Sequence, residues 1–259
     1  MKEKIYTIPV SEAFEQECEC PVCLLEKNLE DGYTDYYLGA ALMEPDCRIE
    51  TNDKGFCRRH FELLYNSQEN RLGLGLVTDT HLREQLPKLR EISETAGAAV
   101  KGAKTPNPLF GALIGIFSSK DQGGNLHLDN LLQMLTRLEN RCTICDKLAY
   151  TMDRYLDVIM YLWLLEDDFR KLFAGKKGFC LVHLRQLIEA SIKYLKPNEC
   201  TLFVSLLLQQ QVENLDRLEK ELDWFTKKFD YRNSDASWGN SKDALPRAIQ
   251  KLKGYCSLK

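Results

Sequence analysis

The sequence contains CPVC at residues 20–23, followed by GFCRRH at residues 55–60. The same pattern returns as CTIC at residues 142–145 and GFCLVH at residues 178–183. A C-x2-C pair thus precedes a G-F-C-x2-H segment twice, and the intervals between the two motifs differ by one residue. This recurrence indicates an internal repeat of a whole supersecondary unit.

The similarity extends through the residues that separate the motifs. When the first copy is shifted onto the second, identical residues coincide at several positions: Asp31 with Asp153, Tyr33 with Tyr155, Asp35 with Asp157, Leu42 with Leu164, and Glu44 with Glu166. One inserted residue then restores the match at the glycines of the two G-F-C segments. The sequence therefore predicts two copies of one structural unit.

The repeated cysteines and histidines have the spacing of zinc ligands. Structural zinc takes four tetrahedral ligands, and C-x2-C is a common ligand pair. In C-x2-H at a helix start, the two side chains lie three residues apart and share one face. We therefore predict two zinc ions per chain, each with three cysteines and one histidine from one repeat: Cys20, Cys23, Cys57 and His60 at the first site, and Cys142, Cys145, Cys180 and His183 at the second.

Other uses of these thiols stay open at this point. Three thiolates and a histidine can also bind an iron–sulfur cluster, so a redox or metal-handling protein is the alternative. CPVC resembles a thiol-exchange motif, but that motif normally follows a strand in a βαβ unit, and the sequence shows no such unit. Cys47 falls opposite Phe169 of the second copy, and Cys200 and Cys256 have no counterpart in the first. These three cysteines are interpreted as core or surface thiols. Cys18 is left open because it lies two residues from Cys20.

Apolar residues recur at helical spacing along most of the chain, which predicts an all-α fold. The predicted helices run from residue 23 to about Met43, from 145 to about Trp163, from about 70 to 96 and from about 198 to 229. A short extended piece is expected only at residues 5–10. The predicted architecture is an internally duplicated set of helical hairpins, each clamped at its base by a Cys3His metal site and packed with long helices.

The repeat also predicts the domain organisation. Residues 1–96 form the first zinc-binding helical repeat, residues 97–127 a linker rich in Gly, Pro, Ser and Lys, and residues 128–259 the second repeat with a C-terminal tail. Inside the linker, the sequence LFGALIGIF at residues 109–117 has two interpretations. It packs against the core, or it faces a partner or a membrane surface.

Composition limits the class of protein. The chain has 259 residues, 44% of them hydrophobic and 28% charged, which is an ordinary balance for a globular protein. Its net charge of −3 argues against a nucleic-acid binder, which usually carries a basic stripe. The sequence shows no secretory signal and no apolar run long enough to span a membrane. A cytoplasmic location is therefore expected, where cysteines more often bind metals than form disulfides.

No catalytic residues are predicted. Both metal sites have four protein ligands, whereas catalytic zinc usually keeps an open position, and the sequence contains no familiar catalytic motif. The expected function is a non-catalytic binding or scaffold protein whose partner is an unknown protein or small molecule. The segment from Phe229 to Asp243 either forms a recognition surface, as its aromatics and arginine suggest, or packs back and buries Trp238.

The two C-x2-C/G-F-C-x2-H units resemble an uncharacterised bacterial family, catalogued as domain of unknown function 6062. The C-terminal sequence KFDYRN at residues 228–233, with the Trp-Gly pair at residues 238–239, carries the same resemblance. The resemblance spans most of the chain and supports the eight predicted ligands. It implies no particular activity.

Overall fold

The computed structural model describes residues 4–102, 122–256 and 258. These residues form helices and no strands, so the predicted all-α class is confirmed for this part of the chain. The LFGALIGIF segment lies outside the described residues. The α-helices are α1 (Lys4–Glu15), α2 (Pro21–Leu38), α3 (Pro45–Lys54), α4 (Arg58–Asn66), α5 (Arg71–Gly102), α6 (Gln122–Asn140), α7 (Thr143–Leu165), α8 (Asp167–Ala174), α9 (Leu181–Tyr194), α10 (Pro197–Lys227) and α11 (Ala244–Lys253), with short 3-10 helices at Ala40–Met43 and Tyr231–Asn233.

The chain divides into two compact units. Unit 1 contains Met1–Asp31 and Leu148–Lys259, and unit 2 contains Gly32–Lys147. The limits of the units fall inside α2 and α7, so each of these helices contributes its first turns to one unit and the rest to the other. The division into repeats at residues 1–96 and 128–259, with a linker at 97–127, stays a prediction.

The N-terminal segment is helical, and the extended piece expected at residues 5–10 is wrong. In α1, Tyr6, Val10, Ala13 and Phe14 recur at helical spacing and face the core of unit 1. Pro9 lies beyond the first turn and costs one backbone hydrogen bond. Burial of the apolar face outweighs this loss, since each fully buried large side chain stabilises the fold by about 1.5–3 kcal/mol.

An aromatic cluster fills the centre of unit 1. The ring of Phe14 lies 5.0 Å from Phe169 and 5.7 Å from Phe173, measured between ring centroids. Phe173 in turn lies 5.2 Å from Phe179 and 5.6 Å from Phe203. Phe179 is the phenylalanine of the second G-F-C motif, so the aromatic cluster fixes the backbone next to a predicted metal ligand.

In unit 2, the phenylalanine of the first G-F-C motif, Phe56, also packs against aromatic rings. The ring of Phe56 lies 5.5 Å from Tyr37 on α2 and 5.5 Å from Phe61 on α4. Helices α3 and α5 are joined by Arg48, which donates hydrogen bonds to the hydroxyl of Thr80, at 2.7 Å, and to the carbonyl of Leu76, at 3.3 Å. These contacts hold the segment that carries the first G-F-C motif.

A buried ionic network ties the C-terminal helices to the N-terminal segment within unit 1. Glu19, only 5% exposed, pairs with Arg217 at 2.9 Å, Arg247 at 3.2 Å and Lys251 at 3.3 Å. Arg217 and Arg247 also pair with Glu221. Because a buried carboxylate is costly unless it is paired and hydrogen-bonded, the network fixes α10 and α11 relative to the residues just before the CPVC motif.

The C-terminal tail packs partly against α10, and a recognition surface there stays a prediction. The Trp238 ring is half-buried and lies 5.9 Å from Phe225 of α10, with the Lys228 ammonium 5.3 Å from its centroid. Phe229 and Tyr231 remain 76% and 85% exposed. Trp238 therefore packs against α10, while the two aromatic side chains before it face solvent. Among the described residues, no helix has the length and hydropathy needed to cross a membrane.

Candidate metal centres

The structure brings the eight predicted ligands together as two groups of four, with the ligand atoms of each group within 4.8 Å of one another. Site A consists of Cys20, Cys23, Cys180 and His183, and site B of Cys57, His60, Cys142 and Cys145. Site A lies within unit 1 and site B within unit 2. The prediction of two Cys3His clusters is confirmed, but the grouping of ligands within one repeat is wrong.

The exchange of ligands between repeats follows from helix length. A helix rises about 1.5 Å per residue, so the 18 residues of α2 carry the chain about 27 Å from the CPVC motif. The next helix, α3, has 10 residues and spans only about 15 Å. In the second repeat, α7 has 23 residues and α8 only 8. The return helix is too short to close the predicted hairpin, so each C-x2-C pair meets the C-x2-H pair of the other repeat.

The four ligands of site A are fully buried, with exposures of 0–1%. The His183 Nδ1 atom lies 3.2 Å from the Cys180 sulfur, 3.3 Å from the Cys23 sulfur and 3.6 Å from the Cys20 sulfur. The sulfurs of Cys23 and Cys180 are 3.5 Å apart. One imidazole nitrogen thus faces all three sulfurs at once.

Site B has the same arrangement of atoms with more exposure. The His60 Nδ1 atom lies 3.2 Å from the sulfurs of both Cys57 and Cys142, and 3.4 Å from that of Cys145. The sulfurs of Cys57 and Cys145 are 3.7 Å apart. His60 and Cys142 are buried, Cys57 is half-buried and Cys145 is exposed.

These distances fit a single tetrahedral ion. Bonds of about 2.3 Å to sulfur and about 2.0 Å to nitrogen would place sulfurs about 3.8 Å apart, and the nitrogen about 3.5 Å from each sulfur. The observed separations, 3.5–3.7 Å between sulfurs and 3.2–3.6 Å from nitrogen to sulfur, are close to those values. They are far longer than the sulfur–sulfur bond of a disulfide, which is about 2.05 Å.

Each site joins the N-termini of two helices. In site A, the CPVC motif begins α2 and Cys180 is the N-cap of α9, where its sulfur accepts the His183 backbone N–H at 3.4 Å. In site B, Cys57 is the N-cap of α4 and the CTIC motif begins α7. The positive end of a helix dipole stabilises thiolates, so both positions suit an anionic centre.

The glycines of the two G-F-C motifs allow the turns before the ligands. Gly55 and Gly178 have φ angles of 64° and 76°, a left-handed conformation that other residues rarely adopt. A Cβ at Gly55 would lie 2.7 Å from the His81 ring, and one at Gly178 would lie 2.9 Å from the Gln211 amide oxygen. The two motifs therefore need glycine both for backbone conformation and for space.

The long helices α5 and α10 support these turns. His81 on α5 contacts the carbonyl of Asn52 through Nδ1 at 2.8 Å. Gln211 on α10 accepts the backbone N–H of Phe179 at 2.8 Å and donates to the carbonyl of Phe179 at 2.9 Å. His81 and Gln211 were not predicted from the sequence as residues of the sites, since a single polar residue on a helix carries no signal of this role.

Two further side chains surround site A. The Glu26 carboxylate lies 3.4 Å from His183 Nε2, the nitrogen that does not face the sulfurs. Such carboxylate–histidine pairs orient metal-binding imidazoles. The Lys251 ammonium, 1% exposed, donates to the carbonyls of Glu19 and Lys177, one residue before Cys20 and three residues before Cys180. Lys251 thus links the two segments that carry the ligands.

Site B is held together by different contacts. Thr143 donates to the carbonyl of Gly55 through its backbone N–H at 3.1 Å and its hydroxyl at 3.3 Å. The equivalent position at site A is Pro21, which has no N–H to donate. Lys54 also pairs with Asp146 at 2.7 Å. The CTIC and G-F-C segments of unit 2 are therefore joined directly by these contacts.

The electrostatics of both clusters favour a positive charge among the sulfurs. Burial opposes the charged imidazole of His183, but the Cys180 and Cys20 sulfurs and the Glu26 carboxylate outweigh it and raise its pKa to about 11. Burial likewise opposes ionisation of Cys142, but contact with His60 and with backbone N–H groups lowers the pKa of this thiol to about 6.

At site A, the close sulfurs shift the pKa values of Cys23 and Cys180 in opposite directions. Hydrogen bonds with Cys180 and Cys20, together with burial, raise the pKa of Cys23. The Cys180 sulfur accepts hydrogen bonds from the Cys20 and Cys23 thiols, and these hydrogen bonds lower the pKa of Cys180. A cation that binds the sulfurs would replace the shared protons, which is the usual coupling of metal binding to proton release.

The other cysteines do not join the clusters. Cys47 lies 3.1 Å from the Tyr36 hydroxyl and Cys200 lies 3.3 Å from the Ser191 hydroxyl. Cys256 contacts the carbonyl of Gly254 at 3.5 Å. Cys18 is half-buried, and burial raises the pKa of its thiol. The interpretation of Cys47, Cys200 and Cys256 as thiols outside the metal sites agrees with these positions.

Comparison with protein families gives a match that covers the whole sequence. Residues 1–259 match the model of a family described as "Family of unknown function (DUF6062)". Comparison with curated proteins and with solved structures finds no match.

Proposed function

The chain belongs to the DUF6062 family, which has no assigned activity, and we propose from its own side chains that it is a helical protein that binds two zinc ions. One ion is held by Cys20, Cys23, Cys180 and His183, and the other by Cys57, His60, Cys142 and Cys145. The observation that carries this proposal is the tetrahedral spacing of three sulfurs and one nitrogen, found twice.

The donor set favours zinc over an iron–sulfur cluster. Four ligand atoms within 4.8 Å of one another suit one ion at their centre, whereas a cluster of several irons needs ligands placed further apart. Three thiolates and a neutral imidazole would give each zinc centre a net charge of about −1. The two helix N-termini at each site would stabilise that charge.

The proposed role of the ions is structural, and the protein is a non-catalytic binding or scaffold protein. Each ion would join the starts of two helices that are distant in the sequence, and structural zinc of this kind contributes on the order of 10 kcal/mol. Four protein ligands leave no open coordination position for a substrate. The partner is proposed to be a protein or a small molecule.

Elemental analysis and an absorption spectrum of protein purified without oxygen test this proposal. We expect two zinc ions per chain and no absorption in the visible range. Removal of the ions by a chelator under reducing conditions should lower the thermal midpoint and the helical circular dichroism signal, and added zinc should restore both. Iron with a visible charge-transfer band would contradict the zinc assignment, and chains with no bound metal would contradict the function itself.

A further inference from the structure

We propose that the two sites have different roles: site A keeps its ion permanently, while site B is an exchangeable zinc site that transfers its ion to acceptors carrying thiolate or chelating groups. This inference rests on the proposed binding of two zinc ions. It adds a division of labour that the repeated sequence motifs do not reveal, because both sites have the same ligand types in the same spacing.

Accessibility of the ligands is the first support. All four ligands of site A have exposures of 0–1%. In site B, Cys145 is exposed and Cys57 is half-buried. An incoming ligand must approach the ion before a bond to it can form, so an ion beside an exposed cysteine exchanges faster than one enclosed by protein.

Coverage by the C-terminal helix is the second support. Lys251 on α11 links the carbonyls of Glu19 and Lys177 on the two ligand segments of site A. At the end of the same helix, Gly254 lies beside Cys180, and a Cβ there would be in ordinary van der Waals contact with the sulfur, at 3.9 Å. Opening site A therefore requires α11 to detach, with disruption of the ionic network around Glu19.

The surroundings of site B contain no comparable cover in the described residues. The residue after Cys145 is Asp146, whose side chain is 54% exposed and pairs with Lys54. On the other ligand segment, Arg58 follows Cys57, and its side chain is 92% exposed. The exposed Cys145 and the half-buried Cys57 thus lie on segments whose neighbouring side chains face solvent, and none of the described helices has to move for a ligand to reach them.

The exchange step is a ligand substitution without a change of oxidation state. The sulfur of an acceptor thiol forms a bond to zinc while the bond from zinc to the Cys145 sulfur breaks. The proton of the acceptor thiol passes to the released Cys145 thiolate, directly or through water. Repetition at Cys57 then leaves the ion held by fewer protein ligands, from which a chelating acceptor removes it.

The test follows zinc release from the full-length, zinc-loaded protein with excess 4-(2-pyridylazo)resorcinol, a chelator that changes colour on binding zinc. We expect two phases of one zinc ion each, with the faster phase from site B. The reaction is stopped after the first phase with iodoacetamide, and the alkylated cysteines are located by peptide mass spectrometry. Label on Cys57, Cys142 and Cys145, with Cys20, Cys23 and Cys180 protected, is the expected pattern.

A matched pair of variants assigns the phases independently. Cys145→Ser and Cys23→Ser each replace the second cysteine of a C-x2-C motif. Cys145→Ser should abolish the fast phase and leave one slowly released ion. Cys23→Ser should keep the fast phase and lose the slow one, and if this buried substitution prevents folding, the alkylation pattern of the unmodified protein decides the assignment.

The outcomes separate the two proposals. Two ions that leave together, or label that appears first on Cys20, Cys23 and Cys180, would overturn the division of roles while leaving zinc binding intact. Fewer than two ions per chain after reconstitution without oxygen would overturn the proposed function and this inference with it.

Discussion

Replacement of Lys251 by methionine tests how α11 secures site A. Methionine has nearly the same length and volume, so the change removes the ammonium group without leaving a large cavity. Glu19 keeps its ion pairs with Arg217 and Arg247, so no unpaired buried carboxylate results. The loss falls on the carbonyls of Glu19 and Lys177, which the ammonium group contacts in the native protein.

The magnitude follows from these contacts. Each carbonyl left without a donor costs about 1–3 kcal/mol, and the ion pair with Glu19 adds to that loss. Burial of the ammonium group, which lowers the pKa of Lys251, is relieved in the variant and offsets part of the cost. We therefore expect a net loss of about 2–4 kcal/mol, which corresponds to a thermal midpoint lower by roughly 4–16 °C.

The measurement is the thermal midpoint of zinc-loaded protein by circular dichroism, with Lys253→Met as the control. Lys253 lies on the same helix and is exposed, so its replacement should change the midpoint by little. Zinc release from site A should also accelerate in Lys251→Met. A variant as stable as the native protein, with unchanged zinc release, would refute the reasoning, because it would show that an apolar side chain serves equally well between the two carbonyls.

Three further substitutions have clear expected outcomes. Phe14→Ala should destabilise the protein by about 3–5 kcal/mol in thermal or urea unfolding, because the side chain is fully buried. The control Phe229→Ala should leave the stability nearly unchanged. Equal effects of the two substitutions would contradict the place of α1 in the core. Gly178→Ala should lower the stability by about 1–3 kcal/mol because Gly178 has a positive φ and lies close to an amide oxygen. Gly175 has a φ of −77°, so the control Gly175→Ala should change the thermal midpoint little. A Gly178→Ala variant as stable as the native protein would refute the strained turn. Burial opposes ionisation of Asp153, but hydrogen bonds from Lys193 and Tyr194 at the end of α9 outweigh it and lower the pKa of this carboxyl group. Asp153→Asn removes the carboxylate. Above pH 4, the free energy of unfolding of the native protein should therefore be about 0.2–1 kcal/mol higher than that of the variant. This difference in stability should vanish as the pH falls through the lowered pKa of Asp153. A difference that persists in acid would contradict the pairing.

The eight residues of the two Cys3His clusters could be predicted from the sequence, but their grouping could not. Ligand identity follows from residue type and local spacing, which the C-x2-C and C-x2-H pairs carry within four residues each. Grouping depends on where the intervening helices end. Helical periodicity predicts that α2 and α7 exist, but it does not predict that the helices after them, α3 and α8, are much shorter.

The helical conformation of α1 and the contact of α11 with site A could not be predicted from the sequence either. Pro9 favours an irregular segment when read alone, and only the aromatic cluster around Phe14 explains why a helix forms there. Lys251 is one of two lysines on the amphipathic helix α11, and most lysines are solvent-exposed. Its burial results from tertiary contacts with Glu19 and Lys177, which leave no trace in local composition.

The crossed pairing of ligands sets the order in which the two sites can be completed during synthesis. The ligands of site B lie between those of site A along the chain, so the ribosome supplies the last ligand of site B, Cys145, well before Cys180 and His183. Cys23 must wait through 157 residues of synthesis for its partner Cys180. Closing the longer loop adds only about 0.6 kcal/mol per doubling of length, so the delay is one of time and not of energy. Throughout that interval, Cys20 and Cys23 are exposed to any thiol or metal in their surroundings, while the cluster at site B can already be complete.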